Sequence, residues 1–301
     1  MAEISASLVK ELREMTGLGM MECKRALVDT DGDIKKAEEL LRIKSGSKAT
    51  KAAARQAAEG TIGVYVAADA SNGALVEFNC ETDFTARNVD FLAMAAALAK
   101  NVGTDNPADA AALLNNTKID GESAESKRAA LVQKIGENMT ARRIARISTN
   151  KVASYTHGGG RIGVLVEYEG NGDIARDVAM HLAASVASTR AVCVSKDEVP
   201  PELIENERKI FAAQAAESGK PMDIVAKMVD GSIAKFRKEN ALLSQLFVID
   251  GKTPVAEVVA AAGKDVGATI TLKGFVRFQL GEGIEKEESD FAAEVAAAAG
   301  V

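Results

Sequence analysis

Gly73-Ala74-Leu75-Val76-Glu77-Phe78 runs into Asn79-Cys80-Glu81-Thr82-Asp83-Phe84-Thr85, and the reading of these thirteen residues decides the fold. The first six alternate like a strand, and Ala86 to Asn101 is patterned like a helix. The segment between them is then a strand-to-helix connection, a place that lies at the surface and often carries function. Polar Glu81, Thr82 and Asp83 suit water, whereas Phe84 needs an explanation in a chain that is only 4% aromatic and lacks Trp. Two readings of Phe84 are open. It tucks back under the helix that it introduces, or Asp83-Phe84 is a wedge offered to another protein.

An internal repeat gives this connection its meaning. Leu75-Val76-Glu77-Phe78, a turn, and Ala86-Arg87-Asn88-Val89 return later as Leu165-Val166-Glu167-Tyr168, a turn, and Ala175-Arg176-Asp177-Val178. Each strand has an upstream partner, Thr61 to Ala67 and Lys151 to Thr156, so two related hairpin-plus-helix units are expected. The second turn, Glu169-Gly170-Asn171-Gly172-Asp173-Ile174, has ordinary Gly/Asn chemistry. The first is one residue longer and carries Thr-Asp-Phe. A shared scaffold altered in one connection points to function there.

The 301 residues suffice for more than one core, with 47% hydrophobic and 27% charged residues. A net charge of −6 argues against nonspecific nucleic-acid binding as the main activity. The apolar stretches are short and Ala-rich, which predicts no membrane span. Met1-Ala2-Glu3-Ile4 has neither a basic region nor an apolar signal core. Cys23, Cys80 and Cys193 are dispersed and form no CxxC pair, so neither zinc nor a disulfide framework is expected. These features read as a soluble, cytoplasmic protein.

Residues 1 to about 45 read as three short helices, with Ser5 or Ser7 capping the first and Asp33 the third. Ser45 to Glu59 has few large apolar residues and reads as a linker, partly helical. Its bases, with Lys44, face water, acidic surface or RNA. Ser123 to Ala141 reads as one helix with Gly136 inside it, at a cost of roughly 1 kcal/mol relative to Ala. Val199-Pro200-Pro201-Glu202 opens a helix to about Glu217, Ser218-Gly219-Lys220-Pro221 breaks it, and a second helix starts at Met222. Val225, Val229, Ser232 and Phe236 give that helix a coiled-coil-like stripe, so the pair forms an antiparallel hairpin. Leu246 to Ile249 and Ala268 to Leu280 read as strands. Ser289 to about Ala299 reads as a terminal helix with Phe291, Val295 and Ala298 on one side.

Catalytic signatures fail on context. Gly158-Gly159-Gly160-Arg161-Ile162-Gly163 has the letters of a dinucleotide loop, but it leads into a strand rather than out of one into a helix. Gly251-Lys252-Thr253 lacks the upstream glycine of a phosphate loop. His157 and His181 are the two histidines, and neither has metal-ligand company at local spacing. His181 reads as a packing residue on an apolar helix, and His157 as a residue able to touch a partner.

Taken in order, the pieces resemble the elongation factor Ts family, the guanine-nucleotide exchange factors of bacterial translation. The segments that carry the resemblance are Thr16-Gly17-Leu18-Gly19-Met20-Met21-Glu22-Cys23-Lys24, Cys80-Glu81-Thr82-Asp83-Phe84, Lys134-Ile135-Gly136-Glu137-Asn138, Ser154-Tyr155-Thr156-His157-Gly158, Ala179-Met180-His181, Ser218-Gly219-Lys220-Pro221 and Gly281-Glu282-Gly283-Ile284-Glu285-Lys286. The resemblance implies an α+β fold. Its parts would be a three-helix ubiquitin-associated-like domain with linker (1–55), a first core subdomain (56–149) and a second (150–198 and 245–280). An inserted coiled-coil hairpin (199–244) and a C-terminal helical module (281–301) complete it. The two subdomains would each be an antiparallel sheet plus helix.

The implied partner is elongation factor Tu bound to GDP. Thr82, Asp83, Phe84 and Thr85 would press near its magnesium and phosphate site. Met20, Met21, Lys24, Ile135, Gly136, His157 and Phe291 would supply further contacts. Such a factor is no enzyme, needs no cofactor or metal of its own, and binds neither nucleotide, nucleic acid nor membrane. A homodimer or a two-plus-two complex with the partner is compatible with it. The alternative is a chaperone-like or RNA-binding accessory protein of translation, using Lys44 to Arg55 and Arg142-Arg143. The family usually has Val after Asp-Phe, so Thr85 is a departure, and Thr85→Val is expected to be neutral or mildly helpful.

Overall fold

The computed structural model describes residues 4–171, 173–184, 190–217 and 221–285, and shows a mixed fold of helices and antiparallel sheets. The chain opens with α1 (Ala6–Thr16), α2 (Met20–Asp29) and α3 (Ile34–Ala52). Ser5 caps α1 by accepting from the Leu8 amide, and Asp33 caps α3 by accepting from Lys35 and Lys36. Val9, Leu12, Leu18, Cys23, Ala26, Leu27, Ala37 and Leu41 close a small core among the three.

The expected linker is mostly helix. α3 continues to Ala52, and its buried positions past Leu41 are Ser45, Ala49 and Ala52. These small side chains let α3 lie close against α7 (Ala124–Ile135), and Ala49 and Ala52 join the core of the first sheet. A search for large apolar residues misses such a face because close helix packing needs small ones.

Two three-stranded sheets follow one plan. In the first, β1 (Glu59–Val66) pairs with β2 (Gly73–Cys80), which pairs with β5 (Thr140–Ile147). In the second, β6 (Lys151–His157) pairs with β7 (Ile162–Glu169), which pairs with β8 (Thr271–Gln279). Each central strand shifts register against its third strand at the same step of the repeat, between Glu77 and Phe78 and between Glu167 and Tyr168. Strand alternation, with a core on each side, explains why both central strands are mostly apolar and largely buried on both faces. Ala74, Val76 and Phe78 face α5 (Val89–Asp105), and Val164, Val166 and Tyr168 face α8 (Ile174–Ala184). Leu75 and Leu165 point the other way and meet in a shared core with Ile62, Val152 and Phe278. The sheets therefore stack face to face with helices outside.

The stacking is reciprocal. A Cβ on Gly73 would lie 2.6 Å from Val152 and 3.2 Å from Leu165, and one on Gly163 would lie 2.5 Å from Ile62 and 3.3 Å from Leu75. Gly73 and Gly163, Ile62 and Val152, and Leu75 and Leu165 are equivalent positions of the repeat. Glycine is needed at both because neither site has room for a methyl group.

Between β2 and β5 lie α4 (Asp83–Ala86), α5, α6 (Ala110–Asn116), a two-residue ribbon of β3 (Lys118–Ile119) and β4 (Glu122–Ser123), and α7. The helix expected over Ser123 to Ala141 ends at Ile135. Gly136 has φ +91° and donates its N–H to the Val132 carbonyl, so it stops the helix from outside and costs it nothing. The residues beyond it become β5, a strand the sequence reading did not anticipate. Likewise the helix expected from Ala86 breaks after α4 and restarts at Val89, where the Asn88 side chain accepts from Asp90 and Phe91.

The second unit holds the insertion. α9 (Pro201–Ala216) and α10 (Met222–Glu239) pack through Ile204, Phe211, Ala215, Val225, Val229 and Ile233, so Ile233 rather than Ser232 continues the stripe. Part of the expected turn, 218–220, lies outside the described residues. The base is clamped where Val192 donates to the Asn240 carbonyl, and Leu242 and Leu243 donate to Cys193 and Val194. This clamp separates hairpin from body. Replacing residues 203–239 by a short Gly/Ser loop is therefore expected to shift the melting temperature of the body by less than about 4 °C. Calorimetry of the shortened chain decides this, and loss of the body's transition would refute it. Sedimentation of the natural chain beside the shortened one, which lacks them, reads any self-association carried by exposed Ile210, Ile224 and Met222.

Leu246 to Ile249 is not a strand. Leu246 makes a single bridge to Pro254, and the Asp250 carboxylate then accepts from the Lys252 and Thr253 amides in a tight turn. Only Phe247 of the four is buried. α11 (Val255–Asp265) leads from there to β8.

His181 on α8 is buried, with Nε2 at 2.9 Å from Gln245 Oε1 and Nδ1 accepting from the Val248 amide at 3.2 Å. Burial pushes its pKa down, against the hydrogen bond that Nε2–H donates to Gln245, which favours the charged ring. A base with a depressed folded pKa binds more protons when unfolded. Its contribution is complete above its ordinary value of about 6.5 and is lost as pH falls below that. Thermal unfolding at about pH 8 and about pH 5.5 is expected to show a smaller drop for His181→Gln than for the natural chain. An equal drop in both would exclude His181 as a source of acid sensitivity.

Candidate functional site

The Thr82–Thr85 turn is locked from beneath and open above. Thr82 caps α4, its hydroxyl oxygen accepting from the Thr85 amide. Thr85 is buried, so its neighbour on a single helical turn points away from the body, and Phe84 is 82% exposed. This excludes the reading in which Phe84 tucks under the following helix. Phe78 and Phe91 supply the aromatic packing instead, stacked at 4.6 Å between ring centres. Asp83 pairs with Arg87 at 2.9 Å, one turn on, in solvent. The Cys80 thiol donates to the Thr82 carbonyl, and burial, with the Glu137 carboxylate nearby, pushes its pKa up to about 12. It is not a nucleophile at neutral pH.

The lock comes from the loop after α7. The Glu137 carboxylate accepts from the Glu81 amide at 3.1 Å, the Thr82 amide at 3.0 Å and the Thr82 hydroxyl at 2.6 Å. Burial opposes the charge on Glu137, and these hydrogen bonds outweigh it, holding its pKa below the usual carboxylate range. In return the Glu81 carboxylate accepts from the Asn138 amide and pairs with Arg55 at 3.0 Å. Arg55 also donates to the Gly136 carbonyl at 2.8 Å, and its own carbonyl accepts from Asn138 Nδ2 at 2.7 Å.

The end of α7 also gathers other residues singled out from the sequence. Gln133 donates to Glu22 at 2.7 Å, and Lys48 pairs with the same carboxylate at 2.5 Å, which fixes α2 against α3 and α7. Lys134 pairs with Asp90 in the first turn of α5 at 2.8 Å. Met20 and Met21, 57% and 64% exposed, and exposed Lys24 thus sit on the helix beside Gln133, while Phe84 and Val89, 77% exposed, flank Asp90. Ile135 is half-buried and Gly136 exposed between the two groups. Val89 was not singled out in the sequence, although an apolar residue directly before an acidic helix start was a readable signal.

His157 is exposed at the end of β6, before three glycines with positive φ. Its turn reaches the same end of the sheets, since the Gly160 carbonyl accepts from Ile62 and Arg161 pairs with Glu59, whose neighbour in β2 is Cys80. Phe291 lies outside the described residues.

Most of the basic residues considered for RNA are engaged. Lys44 pairs with Asp29, Lys48 with Glu22 and Arg55 with Glu81. Arg142 and Arg143 both bond the fully buried Glu77, at 2.9 and 2.6 Å, and Glu77 also accepts from the Gly281 amide at 2.9 Å. Arg143 and Arg190 pair with Glu282, and Arg143 lies 4.2 Å above the Phe278 ring. This cluster pins the chain leaving β8 onto the first sheet. Among the described residues no helix is long and apolar enough to cross a membrane.

Comparison with known proteins agrees with the resemblance. A profile of the family described as Elongation factor TS matches residues 81–282. Elongation factor Ts of Nitrosospira multiformis is 53% identical over 306 residues, covering 100% of this chain and 97% of its own. That of Sphingopyxis alaskensis is 53% identical over 310 residues, covering 100% of both. That of Bordetella petrii is 54% identical over 300 residues, covering 99% of both.

Proposed function

The chain belongs to the elongation factor Ts family, and from that premise we propose that it is a guanine-nucleotide exchange factor of translation elongation. It binds elongation factor Tu carrying GDP and promotes GDP release, so that GTP can load. The observation that carries this reading is Phe84, an aromatic side chain held 82% exposed on a turn that is itself fixed. Exposed Met20, Met21 and Val89 give the surrounding surface an apolar character suited to a protein partner.

The exchange is a coupling between two ligands of one protein. A factor that weakens GDP binding must itself bind more weakly to the GDP form, by the same factor. It need not touch guanine. Phe84 enters the partner near its magnesium and phosphate site and favours a conformation in which those contacts are broken. Removing a divalent cation from a polyphosphate site is a large local electrostatic loss. The work is done by protein–protein binding, with no chemical step on the factor.

Release of labelled GDP from purified elongation factor Tu, with and without this protein, tests the reading. Acceleration at substoichiometric amounts supports it. An RNA-binding accessory protein would instead leave GDP release unchanged and bind RNA with a steep salt dependence. The pairing of Lys48, Arg55, Arg142 and Arg143 with acids of their own chain speaks against that alternative.

A further inference from the structure

We propose that Glu137 is the positioning residue of the exchange turn: its carboxylate holds Thr82 to Phe84 in the projecting conformation before any partner arrives. The inference rests on the exchange reading for its consequence, but the clasp itself is a property of the free protein.

The turn cannot hold itself. α4 is four residues long, too short to be stable alone. Phe84 is exposed and contributes no packing that would fix it, and the Asp83–Arg87 pair is in solvent, where such pairs contribute little. Of the turn's side chains only Thr85 is buried. Beside the local Thr82 cap and the Cys80 thiol, the long-range hold is Glu137, 55 residues from Thr82 in sequence, whose two oxygens take the Glu81 amide, the Thr82 amide and the Thr82 hydroxyl. Every one of these groups is a donor, so an acceptor-only carboxylate is the matching residue. Bonds to a charged acceptor are the stronger kind. The loop that bears Glu137 is fixed in turn, through Gly136 and Asn138 to Arg55 and through Asn138 to Glu81. A wedge fixed in advance loses less freedom on binding, and that saving appears in the complex.

Glu137→Gln keeps the size but removes the charge, so the Glu81 and Thr82 amides lose the stronger, charge-assisted acceptor. In the free protein, amide hydrogen exchange at Glu81 and Thr82 is expected to speed up about tenfold or more, while the melting temperature shows the chain still folded. Stimulated GDP release is expected to fall about tenfold in the natural background and by less than about twofold when Phe84 is already Ala, because the two act through one turn. Unchanged protection of the Glu81 and Thr82 amides would overturn the clasp whether or not the protein accelerates GDP release. Equal losses in both backgrounds would reduce Glu137 to a general stabilising residue and overturn its positioning role. Absence of stimulation by the natural chain would instead remove the exchange reading, and with it the role in exchange, while the amide measurement still decides the clasp.

Discussion

Phe84→Ala is expected to cut stimulated GDP release about tenfold to a hundredfold while leaving the protein as stable as before. The size follows from burial of a phenyl side chain on the partner, about 1.5–3 kcal/mol, at about 1.4 kcal/mol per factor of ten. The selectivity follows from exposure. At 82% exposed, Phe84 gives the free fold little, so its melting temperature is expected to move by no more than about 2 °C. Asp83→Ala follows in the same direction with a smaller loss, since its pairing with Arg87 is solvated. Paired measurements of GDP release and thermal unfolding read both effects. If Phe84→Ala melts early and exchanges normally per folded molecule, the wedge reading is wrong.

Glu77→Ala is expected to do the opposite, lowering stability by about 1.5–3 kcal/mol, because it removes the buried carboxylate that two guanidinium groups share and leaves them only their bonds to Glu282 and Gln279. The affected contact joins β2, β5 and the chain beyond β8, so the loss is shared by both sheets. Burial disfavours the Glu77 charge, and the bonds from Arg142, Gly281 and Arg143 outweigh it, so its folded pKa lies below the ordinary carboxylate value. For an acid so shifted, the stabilisation is present above the unfolded pKa of about 4.3 and disappears as pH falls through the lower folded value. Melting curves from neutral to acid pH should therefore converge for the natural chain and Glu77→Ala. A variant within about 2 °C of the natural chain at neutral pH would show that their bonds to Glu282 and Gln279 suffice for Arg142 and Arg143.

The repeat was legible because both copies write the same alternation, Leu-Val-Glu followed by an aromatic, and alternation reports which side of a strand faces a core. The third strand of the first sheet was not. Thr140-Ala-Arg-Arg-Ile-Ala-Arg-Ile147 carries three arginines, and its strand character depends on Glu77, which lies far away in sequence. Leu246-Phe-Val-Ile249 misled in the other direction, because β propensity without a neighbouring strand makes no sheet. The exposed turn could be picked out from its odd aromatic and its unlike twin. Glu137 could not be given its part, since nothing local reveals that a carboxylate after α7 reaches the amides of Glu81 and Thr82.

The reciprocal seating of Gly73 on Val152 and of Gly163 on Ile62 has a historical meaning. A contact that is unchanged when its two halves are exchanged is how two identical subunits meet in a closed dimer. Two copies of a half-length ancestor, joined head to tail by gene duplication, would keep that seam. Once joined, the copies are no longer bound to change together. One could retain the plain Gly/Asn connection that folding requires, while its duplicate was free to lengthen and acquire Thr82-Asp83-Phe84. On the exchange reading, the symmetry keeps the scaffold and the departure from symmetry carries the contact with the partner.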